Sequence, residues 1–153
     1  KQIVPSLESA YKNGDRESRN KMAYGSLLAG LAFAQAKTAA CHALSFALSM
    51  YCGLPHGEAC AFTLDSFIEL NNCERLEALS KELGFENTAA LANRVGEWKK
   101  LGGLCSRFSE LDEKTSDETI EKIAFEGSVH MLMKNNPIRF SKEELFEMLC
   151  KLK

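Results

Sequence analysis

A chain of 153 residues with 45% hydrophobic side chains is long enough to bury one ordinary core and is most simply one domain. Its 19 basic and 21 acidic residues leave a formal charge of −2, so it offers no electrostatic footprint for nucleic acid or for an anionic membrane surface. Residues 22–36 and 38–55 carry no Asp, Glu, Lys or Arg, but the first run is shorter than the ~20 residues of a membrane span, and the second is broken by Gly53 and Pro55.

In chain order the pattern predicts helices throughout. Pro5 and Ser6 open a short one that Gly14 closes, and Asp15 caps a second that runs to about Lys37. The small residues of this second helix, among them Gly25, Ala29, Gly30 and Ala32, permit close backbone approach, which predicts a central position in the bundle. Thr38 is placed to cap the next helix, Gly53 ends it, and Pro55 suits the first turn of a helix reaching about Asn71. Further helices are expected from about Glu74 to Leu83, from Asn87 to Leu101 and from Ser116 to about Met131. The last opens with Ser141-Lys-Glu-Glu144, a capping box. Charged runs such as Glu97-Trp-Lys-Lys100 are expected to be solvated helix faces. The fold class is therefore all-α, with a core that includes Leu28, Leu31, Leu44, Leu48, Phe62, Phe67 and Leu145.

Chemistry concentrates in one stretch. The chain has only 3 histidines, and His42 and His56 bracket a helix and its Gly53-Leu-Pro55 break. From residue 42 to 52 a helix climbs ~15 Å, and the return to His56 spans at most ~14 Å when extended, so the two imidazoles can meet. Two imidazoles make half of a metal site, since about four ligands are usual. On spacing alone a core histidine beside a helix-start histidine is the better description, and the alternative of another class is a metal-free helical module that binds a partner through an apolar groove. His130 is expected near a helix end, interacting with the last carbonyls. The 6 cysteines include no C-x-x-C pair and are expected to be buried, reduced thiols, with Cys41 and Cys52 filling core space. That pattern predicts a cytoplasmic location. Gly102-Gly103 is a loop, too isolated to be a phosphate-binding fingerprint.

The segments Gly25-Ser-Leu-Leu-Ala-Gly-Leu-Ala-Phe33, His42-Ala-Leu and Gly53-Leu-Pro-His-Gly57, followed in order by Phe108-Ser-Glu-Leu111, Asn136-Pro137 and Ser141-Lys-Glu-Glu144, resemble the iron-containing alcohol dehydrogenases. These are relatives of glycerol dehydrogenase and dehydroquinate synthase. The resemblance covers nearly the whole chain and implies a helical bundle like the C-terminal half of that fold, with residues 1–153 forming one metal-binding domain. It implies a divalent metal, iron foremost with zinc as the alternative, held by His42 and His56 together with an aspartate and a histidine from upstream. It further implies NAD or NADP bound mainly by an N-terminal α/β domain, an alcohol or aldehyde substrate, and compatibility with a homodimer. Phe33 matches a position near the nicotinamide and substrate.

Many family members carry a further histidine four residues after the first ligand, where this chain has Phe46; both phenylalanines are expected to line the substrate pocket. The His42-Ala-Leu-Ser-Phe46 wording is closer to members that reduce small functionalised aldehydes, such as phosphonoacetaldehyde reductases, or that oxidise sugar-acid alcohols. The start at Lys1, without an initiator methionine, is expected of a processed product or a piece of a longer protein. Alone, such a piece is expected to hold metal weakly and not to turn over.

Overall fold

The computed structural model describes residues 1–111 and 115–153 and contains helices and no strand among them. In order these are α1 (Leu7–Lys12), α2 (Arg16–Ala36), α3 (Ala40–Cys52), α4 (His56–Phe62), α5 (Leu64–Leu70), α6 (Glu74–Glu82), α7 (Thr88–Leu101), α8 (Asp117–Val129) and α9 (Lys142–Cys150). Short 3-10 turns at Phe108–Glu110 and Met131–Asn135, which no sequence pattern announces, flank α8.

The core is built around α3. Ala40, Ala43, Leu44, Ala47 and Leu48 recur at helical spacing and are all buried, so one face of α3 is removed from water between α4 and α8. The small alanines let α8 come close. At Gly127 of α8 an added Cβ would lie 2.3 Å from Leu44 Cδ2 and 3.1 Å from its Cγ, and Leu44 has no exposed surface into which it could retreat. Gly127→Ala is therefore expected to destabilise the fold by about 1–3 kcal/mol, the usual cost of overpacking. Urea denaturation measures this, and an unchanged midpoint would contradict so close an approach of α8 to α3. Ile120 and Ile123 of α8, Leu145 and Leu149 of α9, Phe62 and Phe67 complete the same cluster, and Phe108 places its ring 5.0 Å from that of Phe62.

Two expected core residues are not in it. Leu28 and Leu31 are 43% and 62% exposed, and α2 is peripheral rather than central. Its buried residue is Gly25, where an added Cβ would strike Ile3 Cγ1 at 2.6 Å. Tyr24, Leu27, Leu28 and Leu31 fall on one face at i, i+3, i+4 and i+7, so the apolar period is real, but no element among the described residues covers that face.

Caps supplied by neighbouring residues follow the sequence pattern, and one supplied from a distance does not. Asp15 accepts from the Ser18 amide at 2.8 Å, Asn87 from Ala90 at 2.8 Å and Ser116 from Thr119 at 3.2 Å. Ser141 and Glu144 form the reciprocal box. The Ser18 amide, followed by the Ser9 hydroxyl, holds the Asp15 carboxyl down to about 2. Thr38 does not cap α3; the cap position falls on Ala39, and the Ala40 amide donates instead to Asn136 Oδ1 at 3.4 Å, from 96 residues away. Gly53, at φ 68°, ends α3 in the left-handed conformation that glycine adopts without a Cβ penalty.

Pro55 sits at the cap of α4 rather than inside its first turn, and the helix expected to reach Asn71 divides at Thr63. There the Ser66 amide turns to Asp65 Oδ1 at 3.1 Å, and the Phe62 carbonyl accepts from Lys99 Nζ at 3.1 Å. Lys99 is accordingly buried, not part of a solvated face, and its ammonium pairs with Asp65 at 2.7 Å. No disulfide is seen among the described residues, but five of the cysteines are only half-buried and Cys73 is exposed. No helix among the described residues is long and apolar enough to cross a membrane.

Candidate metal centre and its cleft

His42 stands in the first turn of α3 and His56 opens α4. The reversal at Gly53-Leu54-Pro55 brings α4 back along α3, so the two rings meet with centroids 5.5 Å apart at 64°. Partial burial, followed by repulsion from His56, pulls His42 below the ordinary imidazole range. Both effects favour the neutral ring, the form that ligates a cation.

A third donor joins them that sequence reasoning missed. Cys60 lies one turn after His56 on α4, with Sγ 3.7 Å from His56 Nε2. One donor atom from each of His42, His56 and Cys60 falls in a group whose members all lie within 4.8 Å of one another. The His-x-x-x-Cys spacing carries the signal, since residues i and i+4 share a helix face. Burial pushes the Cys60 thiol up, as it does Cys52, and Cys41 rises to about 12, so these are neutral thiols in the folded domain.

Nitrogen donors ~2.1 Å from an ion must lie within ~4 Å of each other, a separation that small rotations of these two rings can reach. The donor set therefore fits a borderline divalent cation, and imidazole suits iron and zinc alike.

The histidines face a cleft of about 580 Å³ whose walls include Phe33, Lys37, His42, Phe46 and His56. The expected pocket phenylalanines are thus both at the site, and both are about half exposed. Phe46 lies one turn beyond His42; its ring is 5.9 Å from that of His56 and stacks on His130 at 5.0 Å and 19°. His130 stands behind Phe46, outside the three-donor group. Its backbone amide donates to the Gly127 carbonyl in the last turn of α8 at 3.4 Å, while its side chain turns to the following residues. Its Nδ1 accepts from the Leu132 amide at 3.2 Å, capping the following turn, because the backbone has already turned extended at residue 130. On its other side His42 borders a second cavity of about 670 Å³ that reaches Cys60, Asn71 and Asn136. A further cavity, about 940 Å³ beside Asp65 and Arg107, has neither histidine in its lining and shares none of these residues.

Asparagines lock the backbone that carries His42. Asn136 exchanges side-chain hydrogen bonds with Asn71 at 2.6 and 3.1 Å while accepting from Ala40, and Asn135 Nδ2 donates to the carbonyls of Ala36 at 2.8 Å and Thr38 at 3.1 Å. Ordered amides of this kind hold the start of α3 in place, which is what a ligand in its first turn requires.

The profile described as "Fe-containing alcohol dehydrogenase family, C-terminal" matches residues 1–152. The chain is 33% identical over 125 residues to the aldehyde-alcohol dehydrogenase of Clostridium acetobutylicum, covering 79% of this chain and 14% of that protein. It is 30% identical over 158 residues to alcohol dehydrogenase 4 of Saccharomyces cerevisiae, covering 97% of this chain and 41% of that one. The solved structure of sulfoacetaldehyde reductase from Bifidobacterium kashiwanohense in complex with NAD+ superposes with a TM-score of 0.90 at 30% identity, over 99% of this chain and 40% of that one. The chain thus spans less than half the length of each of these relatives. A profile match along nearly the whole chain, on an all-helical fold that brings the expected histidine pair together, places it in the Fe-containing alcohol dehydrogenase family, as that family's C-terminal domain.

Proposed function

We propose that residues 1–153 form the metal-holding domain of an NAD(P)-dependent oxidoreductase that interconverts an alcohol with an aldehyde or ketone. The overall change is balanced as alcohol plus NAD(P)+ giving carbonyl, NAD(P)H and a proton. The observation that carries the reading is the convergence of His42 and His56 on one cleft. When bound, a divalent cation supplies Lewis acidity to the substrate oxygen. The chain's own residues hold that ion through His42 and His56, while Cys60 contacts His56 and restrains its ring. Phe33 and Phe46 give the cleft apolar walls that exclude water from the path of the hydride.

Iron is the proposed metal, with zinc as the alternative, and the remaining ligands are assigned to an N-terminal α/β domain that also binds the cofactor. The exposed stripe of Tyr24, Leu27, Leu28 and Leu31 on α2 supports such a neighbour, because a large apolar face ordinarily has a covering partner. Cysteines with no disulfide among the described residues fit a reducing compartment, and the cytoplasm is the proposed location. The Bifidobacterium relative is named for an aldehyde that carries an anionic group, which favours a small functionalised aldehyde as substrate over a long-chain alcohol.

The test uses the full-length protein that carries this domain. NADH and NADPH oxidation with short aldehydes is expected to vanish on treatment with a strong chelator and to return with iron(II) or zinc(II). Turnover that survives complete metal removal would overturn the proposal.

A further inference from the structure

We propose that Lys37 is a specificity-determining residue which binds a terminal oxyanion of the substrate, a sulfonate, phosphonate or carboxylate; the inference rests on the functional reading given above. Four observations converge on it. Between Lys21 and Glu58 it is the only Asp, Glu, Lys or Arg in the sequence. It lines the cleft shared by Phe33, His42, Phe46 and His56 and is the one charged side chain there apart from the imidazoles. Its ammonium has no acceptor among the described residues, a state it shares with Lys100, Lys122, Lys134 and Lys151 while seven other lysines pair with carboxylates, so what sets it apart is its place in the histidine cleft.

The fourth observation is the backbone. Lys37 is the sole non-glycine residue with positive φ among the described residues, and φ 65°, ψ 174° is a region that glycine alone adopts readily. The surroundings over-determine this conformation. The Lys37 amide donates to the Phe33 carbonyl at 2.7 Å, while the carbonyls on either side, of Ala36 and Thr38, are both taken by Asn135 Nδ2. A strained position clamped on three sides and filled by lysine rather than glycine indicates that the side chain is needed. What it supplies is a single positive charge in an otherwise uncharged wall beside the histidine pair. A short aldehyde whose carbonyl faces His42 and His56 would present a group on its far carbon to that wall. An oxyanion there gains a charge-assisted hydrogen bond, and a methyl group gains nothing from it.

The experiment compares wild-type full-length protein with Lys37→Gly, Lys37→Met and Lys37→Arg. Glycine suits the backbone, so Lys37→Gly is expected to fold with an equal or higher Tm, and any loss in it reports the missing charge. The ratio of kcat/KM for sulfoacetaldehyde, phosphonoacetaldehyde or 3-oxopropanoate to that for propanal is expected to fall roughly 10-fold or more in the glycine and methionine variants and to be largely kept by arginine. Titration calorimetry with 2-hydroxyethanesulfonate gives a second readout that needs no turnover, and binding should weaken by a similar factor. An unchanged ratio with unchanged binding overturns the inference. So does a loss confined to the KM of NADH or NADPH, which would assign Lys37 to the cofactor's phosphates. Absence of metal-dependent turnover on every aldehyde would defeat the functional reading, and the calorimetric comparison of Lys37 with its variants would still decide this one.

Discussion

Replacing either His42 or His56 with alanine in the full-length protein is expected to abolish turnover, chiefly because the metal is lost. The two rings are the convergent donors of the cleft, and changes to residues that merely orient a ligand already cost ~10–100-fold in metal affinity, so deletion of a donor should cost more. The fold should survive, since His42 is only half-buried and His56 is exposed, and circular dichroism would show wild-type helix content. Phe46→His supplies the contrast. Phe46 lies beyond the donor group, between His56 and His130, so its replacement is expected to leave bound metal at the wild-type level while shifting KM for cofactor or substrate. Elemental analysis alongside the rate separates the roles, and full metal with normal turnover after either His→Ala change would refute the ligand assignment.

The parts of the site that are legible in the sequence are those fixed by nearby residues. Gly53 and Pro55 announce the reversal that returns His56 to His42, and the period of α3 alone identifies Leu44 and Leu48 as core. Period does not say what covers a face. The stripe at Leu28 and Leu31 is as regular as that of α3, and its exposure depends on which chain segment lies opposite, a fact absent from local sequence. Capping fails for the same reason: Thr38 is the better local candidate, yet the Ala40 amide is met by Asn136 across the fold. Cys60 is readable from its spacing to His56. His130 is not, because it reaches Phe46 only through the crossing of α3 and α8. Nor does any sequence rule place a lysine in glycine's region of backbone space; the geometry at Lys37 exists because Asn135 holds both flanking carbonyls.

Asp65→Ala is expected to be among the most destabilising single changes in this domain, and Lys99→Met markedly milder. The Lys99 side chain is 3% exposed and its ammonium has two acceptors, Asp65 Oδ1 at 2.7 Å and the Phe62 carbonyl at 3.1 Å. Removing the carboxylate leaves a buried cation with one neutral partner, and breaking a buried pair from one side costs roughly 3 kcal/mol or more. It also takes the acceptor from the Ser66 amide at the break between α4 and α5. Lys99→Met acts differently. Methionine fills a similar volume, the desolvated charge disappears, and Asp65, with 27% of its side chain exposed, can still be hydrated. The main remaining loss is the donor to the Phe62 carbonyl, about 1 kcal/mol. The double variant should then be more stable than Asp65→Ala alone, because the stranded cation is gone, and the non-additivity measured by urea denaturation of all three proteins gives the coupling between the two groups. A double variant as unstable as the sum of the single changes would show that Asp65 and Lys99 are not coupled, and would refute the account of a stranded buried cation.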